Sequence, residues 1–222
     1  MEKIILIIML FPILLLSLII HEIAHGRMAF FRGDPSALYE NRLSFNPLVH
    51  LDKTGTIVMA STLLFSIIAT TVTNFILCLG WAKPVPVREE NLDNPKIDII
   101  LVSLAGPVSN FIIAFLAGLP FQIGLLRVPS SFSSEGLVSM FLYLIVNVNI
   151  VLAIFNLLPL PPLDGSKILA SFLPEKYQDT LKYPTRNVLI VTIILTILLI
   201  SLPGFSGLIG FLIKLFTSIG SM

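Results

Sequence analysis

Charged side chains are scarce in this sequence of 222 residues. Lys, Arg, Asp and Glu make up 12% of the chain, about half of the roughly 25% that soluble domains carry. The formal net charge is only +1, so there is none of the basic excess with which proteins bind nucleic acids. The composition therefore argues against an ordinary soluble domain and against a nucleic-acid-binding protein.

Cysteine is almost absent as well. The single cysteine, Cys78, lies inside an apolar run, so no intramolecular disulfide can hold the fold together. A free cysteine in such surroundings usually packs as a small hydrophobic side chain, and this is the role expected of Cys78.

Apolar residues, by contrast, make up 55% of the chain. A membrane-spanning helix needs about 20 of them in succession. The sequence predicts an all-α polytopic membrane protein with about five to six transmembrane helices. The expected single membrane domain covers residues 1–222, with a core over 4–173 and C-terminal helices over 187–219. The apolar runs that suggest these helices are residues 4–20, 56–79, 97–120, 136–158, 188–202 and 205–216.

Residues 21–25 read His-Glu-Ile-Ala-His at the end of the first apolar run. Side chains four positions apart share one face of a helix, so the imidazoles of His21 and His25 can bind one metal ion. Glu22 would lie beside that ion, where its carboxylate can take a proton from the attacking water and pass it to the leaving amine. Ionisable groups in membrane helices are usually functional; the alternative is a solvated polar turn.

A catalytic zinc ion usually has three protein ligands and one open position. His50 and the acidic residues are candidates for the third ligand. Asp164 is the best of these, because it follows a proline-rich break at the end of the fourth apolar run. Asp164 could instead cap a helix over residues 165–172, where Asp is favoured, or serve both purposes with different oxygens.

Together these patterns resemble the site-2 protease family of intramembrane zinc metalloproteases. The matching motifs are HEIAH, the Ala105-Gly106-Pro107 sequence with Asn110, and N-x-x-P-x-x-x-x-D-G from Asn156 to Gly165. Residues 43–52 and 80–87 are similar to the compact prokaryotic branch of the family, which has no PDZ or CBS domain. The resemblance spans approximately residues 14–173.

The resemblance implies that His21, His25 and Asp164 bind one Zn²⁺ per chain, with Glu22 as general base and acid. It implies regulated intramembrane proteolysis in the plasma membrane of a prokaryote, with peptide bonds cleaved in or near a transmembrane segment. Expected partners are that substrate and the lipid bilayer, with a homo-oligomer left open. A membrane metal transporter and a non-catalytic membrane binding protein are the alternatives that use the same ligands.

The distribution of basic residues predicts the orientation. For His21 and Asp164 to meet, the first and fourth runs must cross in the same direction, so residues 56–79 must enter and leave the membrane on one side. This re-entrant model divides the basic residues 11 to 2, which the positive-inside rule prefers to the 5 to 8 division of a full span. The zinc site is then expected near the cytoplasmic face. The eleven basic residues on that side are Arg27, Arg32, Arg42, Lys53, Lys83, Arg88, Lys96, Lys167, Lys176, Lys182 and Arg186, and the two on the opposite side are Lys3 and Arg127.

Four further residues are candidates for contact with a substrate. Asn110 and Asn156 lie in apolar runs and could donate hydrogen bonds to a substrate carbonyl or oxyanion, or could join helices instead. Val85 and Val87 alternate with prolines in residues 80–87, here called the proline segment. The sequence predicts that this segment forms a small β element whose edge pairs with an unwound substrate.

Overall fold

The computed structural model describes residues 2–69, 80–129, 136–182 and 185–218. Within these ranges the chain forms α-helices and one 3₁₀ helix, Glu89–Asn91, and no β-strand. Proline or glycine lies at several of the helix ends and connections, as expected from the backbone preferences of these residues. The helices are α1 (Glu2–Phe31), α2 (Ser36–Tyr39), α3 (Pro47–His50), α4 (Lys53–Ala69), α5 (Pro95–Gln122), α6 (Leu137–Asn156), α7 (Asp164–Phe172), α8 (Glu175–Lys182), α9 (Arg186–Ser201) and α10 (Pro203–Thr217).

Among the described helices, three are long and apolar enough to cross a membrane. They are Ile5–Phe31 of α1, together with α5 and α6. The number is smaller than the predicted five to six, because α9 and α10 have 16 and 15 residues and a span needs about 20. The axes of α8 and α9 differ in direction by 69°, and counting that pair as one broken span raises the number to four.

Helices α1 and α6 run in the same direction. Near their first turns, Leu6 belongs to one buried cluster with Met140. Farther along both helices, the side chain of Asn149 donates a hydrogen bond to Ser17 Oγ. The structure thus has the parallel arrangement that a metal site shared by His21 and Asp164 requires.

Helix α5 runs antiparallel to α1 and returns the chain to the same end of the bundle at which α1 finishes. Arg32, just beyond α1, binds Asp98 in the first turn of α5, with its Nε 2.6 Å from Oδ1. The intervening residues therefore begin and end on one side, which favours the re-entrant model over a full span.

The beginning and the end of the predicted re-entrant segment lie next to each other. A Cβ on Gly55 would lie 2.9 Å from Cγ of Trp81, and a Cβ on Gly80 would lie 2.5 Å from Cβ of Met59. Such close backbone approach explains why glycine occupies both positions. Residues 70–79, where the predicted hairpin would turn, lie outside the described residues.

The predicted β element is reduced to one isolated antiparallel bridge between Leu51 and Ala82. A neighbouring hydrogen bond from Lys83 N to His50 O, 2.8 Å long, extends it by one contact. Pro84 and Pro86 follow, and proline has no N–H with which to continue a ladder. The proline segment therefore does not form a strand.

Asp34 attaches the far end of the proline segment to α1. This fully buried residue accepts hydrogen bonds from Arg88 N at 2.7 Å and from Asn91 Nδ2 at 2.9 Å. It also accepts bonds from the N–H and hydroxyl of Ser36. Burial raises the pKa of Asp34, but these hydrogen bonds to the charged form outweigh burial and hold the pKa below its ordinary value.

Candidate metal centre

Three side chains converge where α1, α5 and α7 meet. The Nε2 atoms of His21 and His25 are 3.0 Å apart, as expected for imidazoles one helical turn apart on one face. Asp164 Oδ2 lies 3.1 Å from each of these nitrogens. All three residues are buried, with exposed fractions of 4%, 7% and 5%. The predicted ligands thus form one compact group of metal-binding atoms.

The carboxylate of Asp164 reaches the histidines because the chain turns sharply after α6. A Cβ on Gly165 would collide with the carbonyls of Leu157 and Leu158, so only glycine fits beside the aspartate. Asp164 is the first residue of α7. The N-cap residue of this helix is Leu163, and no side chain caps the helix with a hydrogen bond. The carboxylate oxygens instead face the histidines and Lys167, whose Nζ lies 3.3 Å from Oδ1.

Hydrogen bonds set the tautomer of each histidine. His25 Nδ1 lies 2.7 Å from the carbonyl oxygen of Val102, which can only accept, so Nδ1 carries the proton. His21 Nδ1 lies 2.6 Å from Oδ1 of Asn110, and the Nδ2 of that amide donates to Asn149. Both Nε2 atoms therefore direct a lone pair toward Asp164, which is the form that binds a metal.

Asn110 belongs to a chain of buried amides that crosses three helices. Its Nδ2 donates to Asn149 Oδ1 at 2.8 Å, and Asn149 Nδ2 donates to Ser17 Oγ at 2.9 Å. Both asparagines are fully buried. The sequence left open whether Asn110 contacts substrate or joins helices. In the structure it bonds to His21 and to Asn149 on α6, so it joins helices and orients the imidazole. Asn110 is not among the residues that line the cavity beside the candidate ligands.

Gly106 allows α5 to approach the two histidines. A Cβ at this position would lie 2.6 Å from Nε2 of His21 and still closer to Nε2 of His25. Real Cβ contacts at such distances are excluded by sterics. The Ala-Gly-Pro motif drew attention to this glycine in the sequence, but only the packing of α5 against α1 reveals its purpose.

A cavity of about 260 Å³ adjoins the three candidate ligands. Glu22, Val85, Val87 and Asn156, which the sequence identified as catalytic or substrate-contacting candidates, all line it. Glu22 Oε2 accepts a hydrogen bond from Val85 N at 2.8 Å, which brings the proline segment against the carboxylate. The rest of the lining is Pro84, Glu89, Ile99, Val102, Ser103, Pro162, Lys167 and Lys182.

An ion pair joins two walls of the cavity. Lys182 Nζ, at the end of α8, lies 2.6 Å from Glu89 Oε2 in the 3₁₀ helix. Sequence reasoning missed both residues, since they are 93 positions apart. It also missed Lys167, although its position three residues after Asp164 places it on the same helical face.

The donor set fits a zinc ion. Two neutral imidazoles and one carboxylate suit Zn²⁺, and three protein ligands leave a position for water or substrate. The Nδ1 bonds of both histidines supply the second layer of contacts that such ligands require. His21, His25 and Asp164 are therefore the residues that could hold the metal.

Comparisons with known proteins agree with this geometry. The model of peptidase family M50 matches residues 120–200. The chain is 36% identical over 175 residues to a Bacillus subtilis (strain 168) protein named "Putative zinc metalloprotease YwhC", and the match covers 74% of this chain and 71% of that protein. No solved structure matches. With its apolar helices and this relative, the chain is a multi-pass membrane protein that belongs to peptidase family M50, the site-2 protease family of metalloproteases.

Proposed function

We propose that this protein is a zinc-dependent intramembrane endopeptidase. It hydrolyses peptide bonds in or near the transmembrane segments of other membrane proteins. The observation that carries the proposal is the buried group of His21, His25 and Asp164 beside Glu22. The two histidines and Glu22 lie on α1, which is long and apolar enough to span a membrane. His25 precedes Phe31, the last residue of α1, by six residues or about 9 Å, so the ligands lie within the span but near one end.

A zinc ion held by these three residues would polarise a carbonyl group and lower the pKa of water. The chain itself supplies the proton transfer. Glu22 lies in the cavity lining beside the ligands, where its carboxylate accepts a proton from the attacking water and gives it to the amine that leaves. Asn156 also lines the cavity. One N–H of its side-chain amide donates to Leu152 O, and the second N–H could donate a hydrogen bond to the substrate.

The proline segment is the proposed docking site for the substrate backbone. Val85 N–H is occupied by Glu22, but no described residue accepts a hydrogen bond from the N–H of Val87. In an extended chain these two groups point to the same side. An unwound substrate could therefore bind along this edge with its peptide bond beside Glu22. Opening the substrate helix is required in any case, since a helix shields its peptide bonds.

The same arrangement supports a proposed location and proposed partners. The basic residues divide 11 to 2 when the end of α1 and the start of α5 share one side, and the positive-inside rule assigns that side to the cytoplasm. The active site then faces the cytoplasmic half of the plasma membrane of a prokaryote. Its proposed partners are the lipid bilayer and a membrane-protein substrate that undergoes regulated intramembrane proteolysis.

The test is cleavage by purified protein in liposomes against a panel of single-pass membrane proteins. Wild type should bind about one zinc ion per chain and cleave at least one member, and a chelator should stop cleavage. Glu22→Gln should keep the zinc but lose turnover, because an amide cannot accept the proton. Cleavage by Glu22→Gln at the wild-type rate would remove Glu22 from the mechanism. Zinc moving across the membrane without cleavage would support a transporter.

A further inference from the structure

Ser103 has a buried hydroxyl without a hydrogen-bond partner. The residue is 1% exposed, and its Oγ has no hydrogen-bond partner among the described residues. Serines in helices usually donate to a carbonyl one turn back. Ser109 donates in this way to Gly106 O, and Ser171 donates to Lys167 O. Ser103 therefore differs from Ser109 and Ser171.

The position of Ser103 on α5 directs it to the metal centre. Gly106 and Asn110 follow it by three and seven residues, so the three share one helical face. Asn110 binds His21 and Gly106 lies against both imidazoles. Ser103 is one turn from Gly106 on this face, and it lines the cavity that Glu22 also lines.

An unsatisfied buried hydroxyl destabilises a protein, and such groups often have a role in binding or catalysis. The neighbours of Ser103 in the cavity are the candidate ligands and Glu22, where the reacting peptide group must lie if the proposed function holds. We propose that Ser103 is a substrate-contacting catalytic residue, whose hydroxyl donates a hydrogen bond to the carbonyl oxygen of the peptide bond being cleaved. Because the side chain is only 1% exposed, this contact requires that substrate binding opens the cavity at Ser103.

This role predicts opposite effects of Ser103→Ala on stability and on activity. Alanine removes no hydrogen bond and favours the helix, so the zinc-free variant should unfold at the same temperature as wild type or higher. With the donor gone, kcat should fall by about 100-fold, as for other single donors to a reacting carbonyl. KM should stay within about twofold, because the bond strengthens as charge develops on the oxygen.

Ser171→Ala is the matched control. Ser171 is equally buried, at 3% exposed, but its hydroxyl is bonded and lies away from the cavity lining. Its replacement should lower the melting temperature by about 2–4 °C and leave kcat unchanged. Zinc content is measured for all variants, and Ser103→Ala should retain the wild-type amount.

The experiment compares wild type, Ser103→Ala, Ser171→Ala and Glu22→Gln on one cleaved substrate in liposomes. A wild-type kcat for Ser103→Ala would overturn the proposal and leave the protease function intact. A melting temperature for Ser103→Ala lowered as far as for Ser171→Ala would show a structural hydroxyl and overturn it equally. Full activity of chelated wild type would instead overturn the proposed zinc-dependent function, and full activity of Glu22→Gln would remove Glu22 from the mechanism.

Discussion

Asn149 Oδ1 lies 2.8 Å from Nδ2 of Asn110, and this contact fixes which atom Asn110 presents to His21. With its nitrogen donating to Asn149, Asn110 must turn its oxygen toward the imidazole, which selects the protonated Nδ1 and frees Nε2. The metal-binding form of His21 is thus determined by a residue on a third helix. A chain of fully satisfied buried hydrogen bonds of this kind makes a site rigid.

Replacing Asn149 should therefore weaken zinc binding. In Asn149→Leu, Asn110 loses its partner and can rotate, so the affinity for Zn²⁺ should fall about 10–100-fold, as for other residues that orient a metal ligand. Competition with a chromogenic chelator measures the affinity. Asn147→Leu is the control, because Asn147 lies on the same helix and its side chain bonds, among the described residues, only to Tyr143 O. Equal affinities of the two variants would contradict this role.

Gly106→Ala should also weaken zinc binding, although alanine is the better helix former by about 1 kcal/mol. The added methyl must displace one or both imidazoles, and such overpacking costs about 1–3 kcal/mol, or about 5–150-fold in affinity. Gly210→Ala is the control, because no atom lies within 4 Å of a Cβ added there. Unaltered zinc content and activity of Gly106→Ala would show that the histidines do not need this close approach.

Acid should destabilise the contact between α1 and the proline segment through Asp34. Its pKa in the folded protein is held below the ordinary 3.8, so the stabilisation is fully present above that value and is lost as pH falls toward the folded pKa. Melting temperatures of the zinc-free protein from pH 6 down to pH 3 measure this loss. Asp34→Asn should lower the melting temperature at pH 6 and flatten its decline, whereas Asp179→Asn, at an exposed position, should follow wild type.

The orientation can be tested with single cysteines in a Cys78→Ala background. Positions 40, 88 and 127 all carry exposed side chains, unlike Arg42, which is buried. In intact cells, an impermeant thiol reagent should label position 127 alone, because the re-entrant model puts the other two in the cytoplasm. Labelling at 88 but not at 40 or 127 would mean that residues 56–79 cross the membrane.

Much of the candidate site could be predicted because its chemistry is local in sequence. The four-residue spacing of His21 and His25 defines one helical face, and Glu22 between them lies beside that face. From the sequence, Asp164 was one of several acidic candidates for the third metal ligand, and it could also have capped the helix predicted over residues 165–172. The structure separates the alternatives: its Oδ2 faces both histidines, and the helix that begins there has no side-chain cap.

The sequence by itself determined that the protein is a membrane protein and that His21 and His25 share one helical face. It also predicted that the first and fourth apolar runs cross in the same direction. Composition, periodicity and the distribution of charge suffice for this, because they are properties of the chain alone. Only the tertiary structure decided that Asn110 holds His21, that Gly106 admits the imidazoles and that Ser103 lines the cavity. It also reduced the predicted β element to one bridge. These features depend on which residues of α1, α5 and α6 meet across helix interfaces, and no local pattern encodes contacts between residues 89 or 132 positions apart.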